Sequence, residues 1–141
     1  TTLEFETGIA ANTLLYGSIH QGEHGSAQVK LKGLGAISSF TDGEVYNIGV
    51  GRKFSDSLSA SLSYTTEDGS SPTGTSPLSI TNGTDTYALG INYSTEKTDI
   101  SFGYAMSSFG DKSVTVAPYG TGNFTNNDQT ITGLRIKLKL Q

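Results

Sequence analysis

Strict alternation of apolar and polar residues is the feature that most constrains the fold of this chain. In the stretch Leu58–Thr65, every second residue from Leu58 to Tyr64 is apolar, and the residues between are serines. A period of two places one residue type on each face of a β-strand. The same alternation occurs in five segments, which are Val45–Phe54, Leu58–Thr65, Asp85–Ser94, Thr98–Ser107 and Gly133–Leu140. These segments predict five two-faced strands.

Two further strands are predicted before these five. In Thr2–Ile9, the apolar residues Leu3, Phe5 and Ile9 lie opposite acidic residues and glycine. In Leu14–Gln21, two sets of residues compete for the apolar face, and the pattern does not decide between them. These sets are Leu15, Gly17 and Ile19 on one side and Leu14, Tyr16 and Ser18 on the other. The sequence therefore predicts seven strands, with the facing of the second one open.

The predicted connections alternate between short turns and long polar links. Short turns lie near Ala11-Asn12, at Ser55–Ser57 and at Thr95–Lys97, whereas long links cover residues 22–43, 67–84 and 108–128. Short turns on one rim and long loops on the other are typical of outer-membrane β-barrels. In the first link, Val29 and Leu31 alternate with lysines, which predicts a partly ordered extension of the hairpin above the membrane.

The composition favours a wet lumen over a packed core. The residues opposite the apolar face are mostly Gly, Ser, Thr and Asn, and 18 of the 141 residues are glycine. A soluble β-sandwich also alternates, but its inward face would not be this polar. Tyrosines near the strand ends also fit the interfacial girdle of a membrane barrel. The net charge of −4 gives no basic footprint for nucleic acid, and the absence of cysteine excludes disulfides.

The sequence gives no sign of an enzyme, a cofactor or a metal site. There is no cysteine nucleophile, no Gly-x-Ser-x-Gly and no phosphate-binding loop. His20 and His24 flank Glu23, but this segment leaves a strand for a glycine-rich loop, so we interpret the pair as a chance one. Glu67-Asp68-Gly69 lacks the spacing of a calcium loop, and turn formation explains it.

The charged residues on the predicted polar face are the candidate ligand-binding residues. A charge that faces lipid at mid-depth costs about 2–4 kcal/mol, so these side chains are expected to point into the lumen. They either hydrate the lumen or bind a carboxylate. The candidates are Glu4, Glu6, Lys53, Arg135 and Lys137.

Three segments resemble the FadL family of outer-membrane transporters for long-chain fatty acids and other hydrophobic compounds. Leu3–Ser18 resembles a hairpin in the second half of the family's barrel, and Tyr46–Asp56 resembles the next hairpin. Gly133–Leu138 resembles its closing strand. The chain departs from the pattern of outer-membrane proteins by ending on Leu140-Gln141 instead of an aromatic residue.

The resemblance implies an all-β, antiparallel transmembrane β-barrel of which residues 1–141 form a single segment. The family's barrel has fourteen strands and an N-terminal plug, so seven strands correspond to the C-terminal half. An odd strand count leaves the first and last strands parallel, so we expect more strands from the same gene product or a second chain. The chain starts within a strand pattern at Thr1, so we expect either a removed signal segment or a piece of a longer protein.

By the same resemblance, the expected location is the bacterial outer membrane, and the expected function is passive uptake of long-chain fatty acids or other hydrophobic small molecules. The expected partners are membrane lipid, the hydrophobic ligand and the remaining strands. Two alternatives stay open. One is a structural or adhesive surface barrel or fibre module without transport, and the other is a small soluble lipid-binding β-barrel.

Overall fold

The computed structural model describes residues 1–33, 35–38, 40–71 and 73–139 and shows an all-β protein. Twelve strands follow one another along the described part of the chain. They are β1 (Thr2–Ala10), β2 (Thr13–Gly22), β3 (Lys30–Leu31), β4 (Gly35–Ala36), β5 (Gly43–Lys53), β6 (Leu58–Glu67), β7 (Thr73–Gly74), β8 (Thr84–Ser94), β9 (Thr98–Phe109), β10 (Lys112–Val116), β11 (Gly120–Phe124) and β12 (Asn127–Leu138). Within these ranges no helix is long and apolar enough to cross a membrane.

Seven long strands form one sheet in which each strand pairs with its neighbours along the chain. The order is β1-β2-β5-β6-β8-β9-β12, and every pair in this sheet is antiparallel. All seven strands predicted from the alternation are confirmed. Their ends differ by a few residues, and Leu140 of the last predicted strand lies outside the described residues.

The last strand shows the largest difference from the prediction. β12 begins at Asn127, six residues before the predicted start at Gly133, and pairs with β9 as far as Phe109. The residues that continue its apolar side here are Asp128, Thr130 and Thr132, so the alternation does not reveal this part of the strand. Backbone pairing with β9 forms it instead.

Hydroxyl side chains close two of the short turns in the same way. Ser55 Oγ accepts hydrogen bonds from the backbone N–H groups of Ser57 and Leu58, at 3.2 and 3.0 Å. Thr95 Oγ1 accepts from those of Lys97 and Thr98, at 3.3 and 3.0 Å. Such contacts stabilise turns because they satisfy backbone donors locally.

The three long links fold on one another at the opposite rim, and we call their described residues (within 23–42, 68–83 and 110–126) the loop cap. β7, β10 and β11 form a three-stranded sheet in the cap, in which β10 pairs parallel with β7. Lys30–Leu31 pairs with Gly35–Ala36 as a separate two-stranded sheet. The first link is therefore partly ordered as predicted, but as its own small pair and not as an extension of the β2–β5 hairpin.

The seven-stranded sheet has one apolar and one polar face, and neither covers a core. Val114, in the loop cap, is the one buried hydrophobic residue of the described chain. The accessible surface is 9918 Å², whereas a folded soluble monomer of 14.8 kDa exposes about 7,000 Å². Apolar side chains of the strands contribute to this exposed surface, with Leu62, Tyr87 and Leu134 at 55, 59 and 67% exposure.

The polar face is the more sheltered of the two. In β5, the apolar side chains of Tyr46, Ile48 and Val50 are exposed, while Asn47 is half-buried and Gly49 is buried. The same alternation of half-buried polar and exposed apolar residues occurs in β8. On a flat sheet both faces would be equally exposed, so this pattern indicates a sheet that curls around its polar face.

The sheet is open at both edges in the described chain. β1 pairs only with β2 and β12 only with β9, so no closed barrel forms. With seven strands in strict antiparallel order, β1 and β12 run in the same direction. The structure therefore shows an antiparallel all-β sheet with the expected strand count, and the described residues do not close it into a barrel.

Candidate functional site on the polar face

A trough of small residues crosses the polar face near the short-turn rim. Its floor is one row of paired residues on five adjacent strands, which are Gly51, Ser61, Gly90, Gly103 and Gly133. Because these residues carry little or no side chain, the backbone itself forms the floor. An open cavity of about 700 Å³ lies over the β5, β6 and β8 part of this row, with Leu14 and Lys53 among its walls. This volume is in the range of small-molecule sites.

The ring of Tyr16 bounds the polar face on the β2 side. An added Cβ at Gly49 would lie 2.3 Å from Tyr16 Cζ, so the ring sits directly on this glycine. On the other face, the ring of Phe5 covers Gly17 in the same way, at 2.6 Å from an added Cβ. Aromatic rings that cover glycines restore packing where a strand has no side chain.

These two contacts also decide the facing of the second strand, which the sequence left open. Leu15, Gly17 and Ile19 pair with Val50, Ile48 and Tyr46 and therefore share the apolar face. Leu14 and Tyr16 belong to the polar face, despite their apolar bodies. The alternation failed here because glycine occupies the middle of the apolar set and tyrosine the middle of the polar set.

A cationic cluster lies beside the trough at the β12 edge. Lys139 Nζ is 2.7 Å from Asp99 Oδ1 and also donates to the Thr95 carbonyl oxygen at 2.8 Å. Arg135 and Lys137 line the same cavity, of about 330 Å³. The cluster thus combines three cations with one carboxylate, and the Asp99 carboxylate is already engaged by Lys139.

The trough and the cationic cluster form one continuous polar surface. Asn92 and Ser101 line both cavities. They are cross-strand partners, and Ser101 Oγ donates to Asn92 Oδ1 at 2.8 Å. A ligand that lies along the small-residue floor would therefore meet cationic groups at one end.

The structure brings together some of the predicted site residues and separates others. Arg135 and Lys137 share one cavity, and Lys53 lies in the same paired row as Arg135, four strands away. Lys53 Nζ is 3.0 Å from Asp56 Oδ1, and both groups are exposed. Glu4 and Glu6 are also on the polar face, but on β1 at the opposite edge of the sheet.

Three charged residues that are not among the predicted candidates, Asp99, Lys139 and Arg52, contribute to these surfaces. Asp99 was visible only as a polar residue of its strand, and its pairing with Lys139 depends on how β9 and β12 register. Arg52 falls on the apolar face near the turn rim, with its guanidinium 5.8 Å from the ring centre of Phe54. Its place follows from the strict alternation, since it lies two residues after Val50.

The histidine pair does not form a metal site with other residues of the described chain. His20 Nδ1 is 2.7 Å from Thr2 Oγ1, and the ring of His24 packs against Gly22. No group of three or more His, Cys, Asp and Glu side chains that could hold a metal ion occurs in residues 1–33, 35–38, 40–71 or 73–139.

Comparison with known proteins identifies no family. No family model, curated protein or solved structure matches the chain. A proposed function therefore rests on the fold and on the surfaces described above.

Proposed function

We propose that this chain is a seven-stranded half of an outer-membrane β-barrel that lets long-chain fatty acids or other hydrophobic small molecules cross passively. The observation that carries the proposal is the uncovered apolar face. A soluble protein rarely exposes a continuous apolar patch of more than a few hundred Å². Here a whole sheet face is exposed, and lipid is the medium that would cover it without loss of the curled polar interior.

The apolar outward residues of the seven strands form a band across the sheet, and the position of this band on each strand supports insertion into a membrane. On β1 the apolar outward residues run from Leu3 to Ile9, so their midpoint is at Glu6. When the cross-strand partners of Glu6 are followed from strand to strand, they lead to Ile131 on β12. The apolar residues of β12 run from Leu134 to Leu138, with their midpoint at Ile136. The band therefore moves five residues towards the turn rim over six strand steps.

This displacement corresponds to strands that tilt against a level apolar band. With about 3.3 Å per residue and about 4.8 Å between strands, five residues in six steps give a tilt of roughly 30°. Membrane barrels tilt their strands by about 35–45°. In a soluble protein, the apolar residues of a sheet do not have to lie within one flat layer. Because the apolar band crosses these strands obliquely, as it does in a tilted membrane barrel, it favours insertion into a membrane.

If the apolar band lies level in a membrane, opposite charges of the polar face would lie at one depth. Glu6 marks the midpoint of the band on β1, and Arg135 and Lys137 flank its midpoint on β12. All three side chains belong to the polar face, where water can solvate them. A barrel completed by further strands would thus have acidic and basic groups at mid-depth, about half a circumference apart.

The uncovered edges support the need for further strands. In hydrocarbon, each unpaired backbone N–H or C=O costs several kcal/mol, and both β1 and β12 expose a full row of them. The exposed apolar face argues against one of the two alternative functions but not against the other. A small soluble lipid-binding barrel would turn its apolar residues inward, which is the reverse of this sheet. An adhesive surface barrel fits equally well, and only transport measurements separate it from the proposal.

Uptake into liposomes tests the proposal. The chain, purified together with any strands that complete it, is reconstituted into liposomes whose outer leaflet carries lipopolysaccharide, which slows unaided passage. We expect faster entry of a labelled long-chain fatty acid than into protein-free liposomes. The double variant Arg135→Gln/Lys137→Gln should slow entry of the fatty acid but not of a neutral hydrophobic compound.

Lys97→Gln is the matched control, because Lys97 is an exposed turn residue outside both cavities. Equal rates with and without protein would contradict transport and favour the adhesive alternative. Failure of the chain to enter the membrane at all would contradict the whole proposal.

A further inference from the structure

The loop cap contains a buried lysine without a carboxylate partner among the described residues. Lys112 is 5% exposed, and its Nζ donates to Ser79 Oγ at 3.0 Å and to the Thr81 carbonyl oxygen at 3.3 Å. Neither of the two ion pairs in the described chain involves it. Burial of a charge is costly unless an opposite charge compensates it. A neutral residue could hold the same two loop contacts at lower cost.

Lys112 also lines a cavity of about 480 Å³ between the links of the loop cap. The other lining residues come from all three links and are small or carry hydroxyl groups, among them Thr41, Ser70, Ser71, Thr73 and Thr75. Among the residues that the structure describes, no Asp or Glu lines this cavity. Its volume suits a small molecule, and its chemistry suits a polar, negatively charged one.

Two carboxylates of the loop cap accept hydrogen bonds from backbone N–H groups. Asp42 Oδ1 accepts a hydrogen bond from the Gly25 N–H at 2.8 Å, and Asp111 Oδ1 accepts from the Asn126 N–H at 3.0 Å. Each of these hydrogen bonds joins the two ends of one link. The Lys112 ammonium has three N–H groups, and Ser79 and Thr81 accept from two of them, which leaves one donor without a partner among the described residues for a ligand that brings its own negative charge.

The cavity walls are held by contacts between the links. Ser76 is 1% exposed, and its Oγ donates to the Ile37 carbonyl oxygen at 3.0 Å, joining the second link to the first. Asn82 N–H donates to the Gly110 carbonyl oxygen, and Gly110 N–H to that of Gly83, both at 3.1 Å. These contacts preorganise the cavity, which lowers the entropic cost of binding.

We infer that the loop cap binds a phosphorylated polyol or sugar, with Lys112 at the phosphate and the threonine and serine hydroxyls at the polyol. Phosphate offers several acceptor oxygens to one ammonium and neighbouring hydroxyls. A cavity larger than one phosphate leaves room for a polyol, which hydroxyl groups recognise as donors and acceptors. The inference does not depend on passage of hydrophobic molecules, because it concerns the opposite rim from the cationic cluster.

Calorimetric titration of the purified chain in neutral detergent with glycerol 3-phosphate tests this site. We expect saturable binding that is weaker for inorganic phosphate and absent for glycerol. Lys112→Met should weaken binding by about 10- to 100-fold, the usual effect of losing a hydrogen bond to a charged group. Lys30→Gln, in the same cap but exposed and outside the cavity, should bind like the original chain.

A second variant covers the case in which Lys112→Met disturbs the cap. Thr75→Val keeps the side-chain shape and removes one lining hydroxyl, so it should weaken glycerol 3-phosphate more than inorganic phosphate. Equal binding of glycerol 3-phosphate by the original chain and by a correctly folded Lys112→Met variant would overturn the inference. Absence of saturable binding by the original chain would overturn it as well.

The phosphate group can come from a free metabolite or from a lipid headgroup, and vesicles distinguish these sources. Competition of glycerol 3-phosphate by vesicles that contain phosphatidic acid, but not by neutral vesicles, would assign the headgroup of a membrane lipid. Competition by neither would assign a free ligand. Acetate that bound as tightly as glycerol 3-phosphate would contradict phosphate recognition.

Discussion

The seven-stranded sheet and the loop cap differ in whether they bury side chains. The cap folds against itself and buries Val114, Ser76 and Lys112 between its three links. The sheet buries no hydrophobic side chain and presents its apolar face to the outside. One chain can therefore contain a region that buries side chains within itself and a region whose apolar side chains, on our proposal, contact the surrounding lipid.

The largest expected difference between the two regions is in access from outside a cell. The chain has no cysteine, so a single introduced cysteine reports without background. Asn123→Cys, in exposed β11 of the cap, should react fully with an impermeant thiol reagent on intact cells. Glu96→Cys, in an exposed turn at the other rim, should react only after the membrane is opened. The reverse pattern would invert the orientation.

The next effect separates the two faces of the sheet. Leu89 lies on the apolar face in the middle of β8, paired with Leu62 and Tyr104. Leu89→Arg should destabilise the inserted form by about 2–4 kcal/mol, because it places a charge against lipid. Refolding from urea into lipid vesicles measures this change.

Gly103→Ser is the control for this substitution. Gly103 lies on the polar face, and an added Cβ there meets no atom within 4 Å. We expect a change within the error of the refolding measurement. If Leu89→Arg were equally harmless in lipid, the apolar face would not contact hydrocarbon, and a soluble partner would have to cover it.

A smaller effect is expected in the core of the cap. Val114→Ala removes two methyl groups from a side chain that is 3% exposed, which should cost about 1–2 kcal/mol locally. Hydrogen exchange should become faster in β10 and β11 and stay unchanged in β6 and β8. Faster exchange throughout the sheet would show that the two regions unfold together.

The smallest effect concerns the ion pair at the edge of the sheet. Asp99→Asn removes the carboxylate that contacts Lys139 at 2.7 Å, but both side chains are partly exposed. We expect a loss of stability below that of Val114→Ala, which should disappear at high salt because solvent and ions screen such pairs. A thermal melt at low and high ionic strength measures it. A salt-independent loss would indicate that the Ser94 contact matters more than the charge.

The strands were predictable because their signal is local. Alternation in Leu58–Thr65 and Asp85–Ser94 depends only on neighbouring residues, and both strands formed as predicted. The start of β12 was not, because Asp128, Thr130 and Thr132 carry no alternation and are held by β9. The facing of β2 required the register with β5, which no local pattern contains.

The candidate sites were also predictable only where their signal is local in the sequence. The polar facing of Arg135 and Lys137 follows from their position in the alternation, and it agrees with the structure. Their proximity to Asp99 and Lys139 depends on strand pairing, so the sequence showed the charges and not the cluster. The cavity at Lys112 could not be predicted, because its walls come from three links that are far apart in the sequence.

The contacts of the loop cap also set an order for folding. Each long strand of the sheet pairs with the next long strand along the chain, so the sheet can grow hairpin by hairpin and close one short turn or one link at a time. The cap joins residues much farther apart, such as Ser76 to Ile37 across 39 positions and Lys112 to Ser79 across 33. It can close only after β5, β6, β8 and β9 have brought its three links to one rim. We therefore expect the contacts between the links to form after these hairpins, so that an ordered cap indicates that the four strands beneath it are paired.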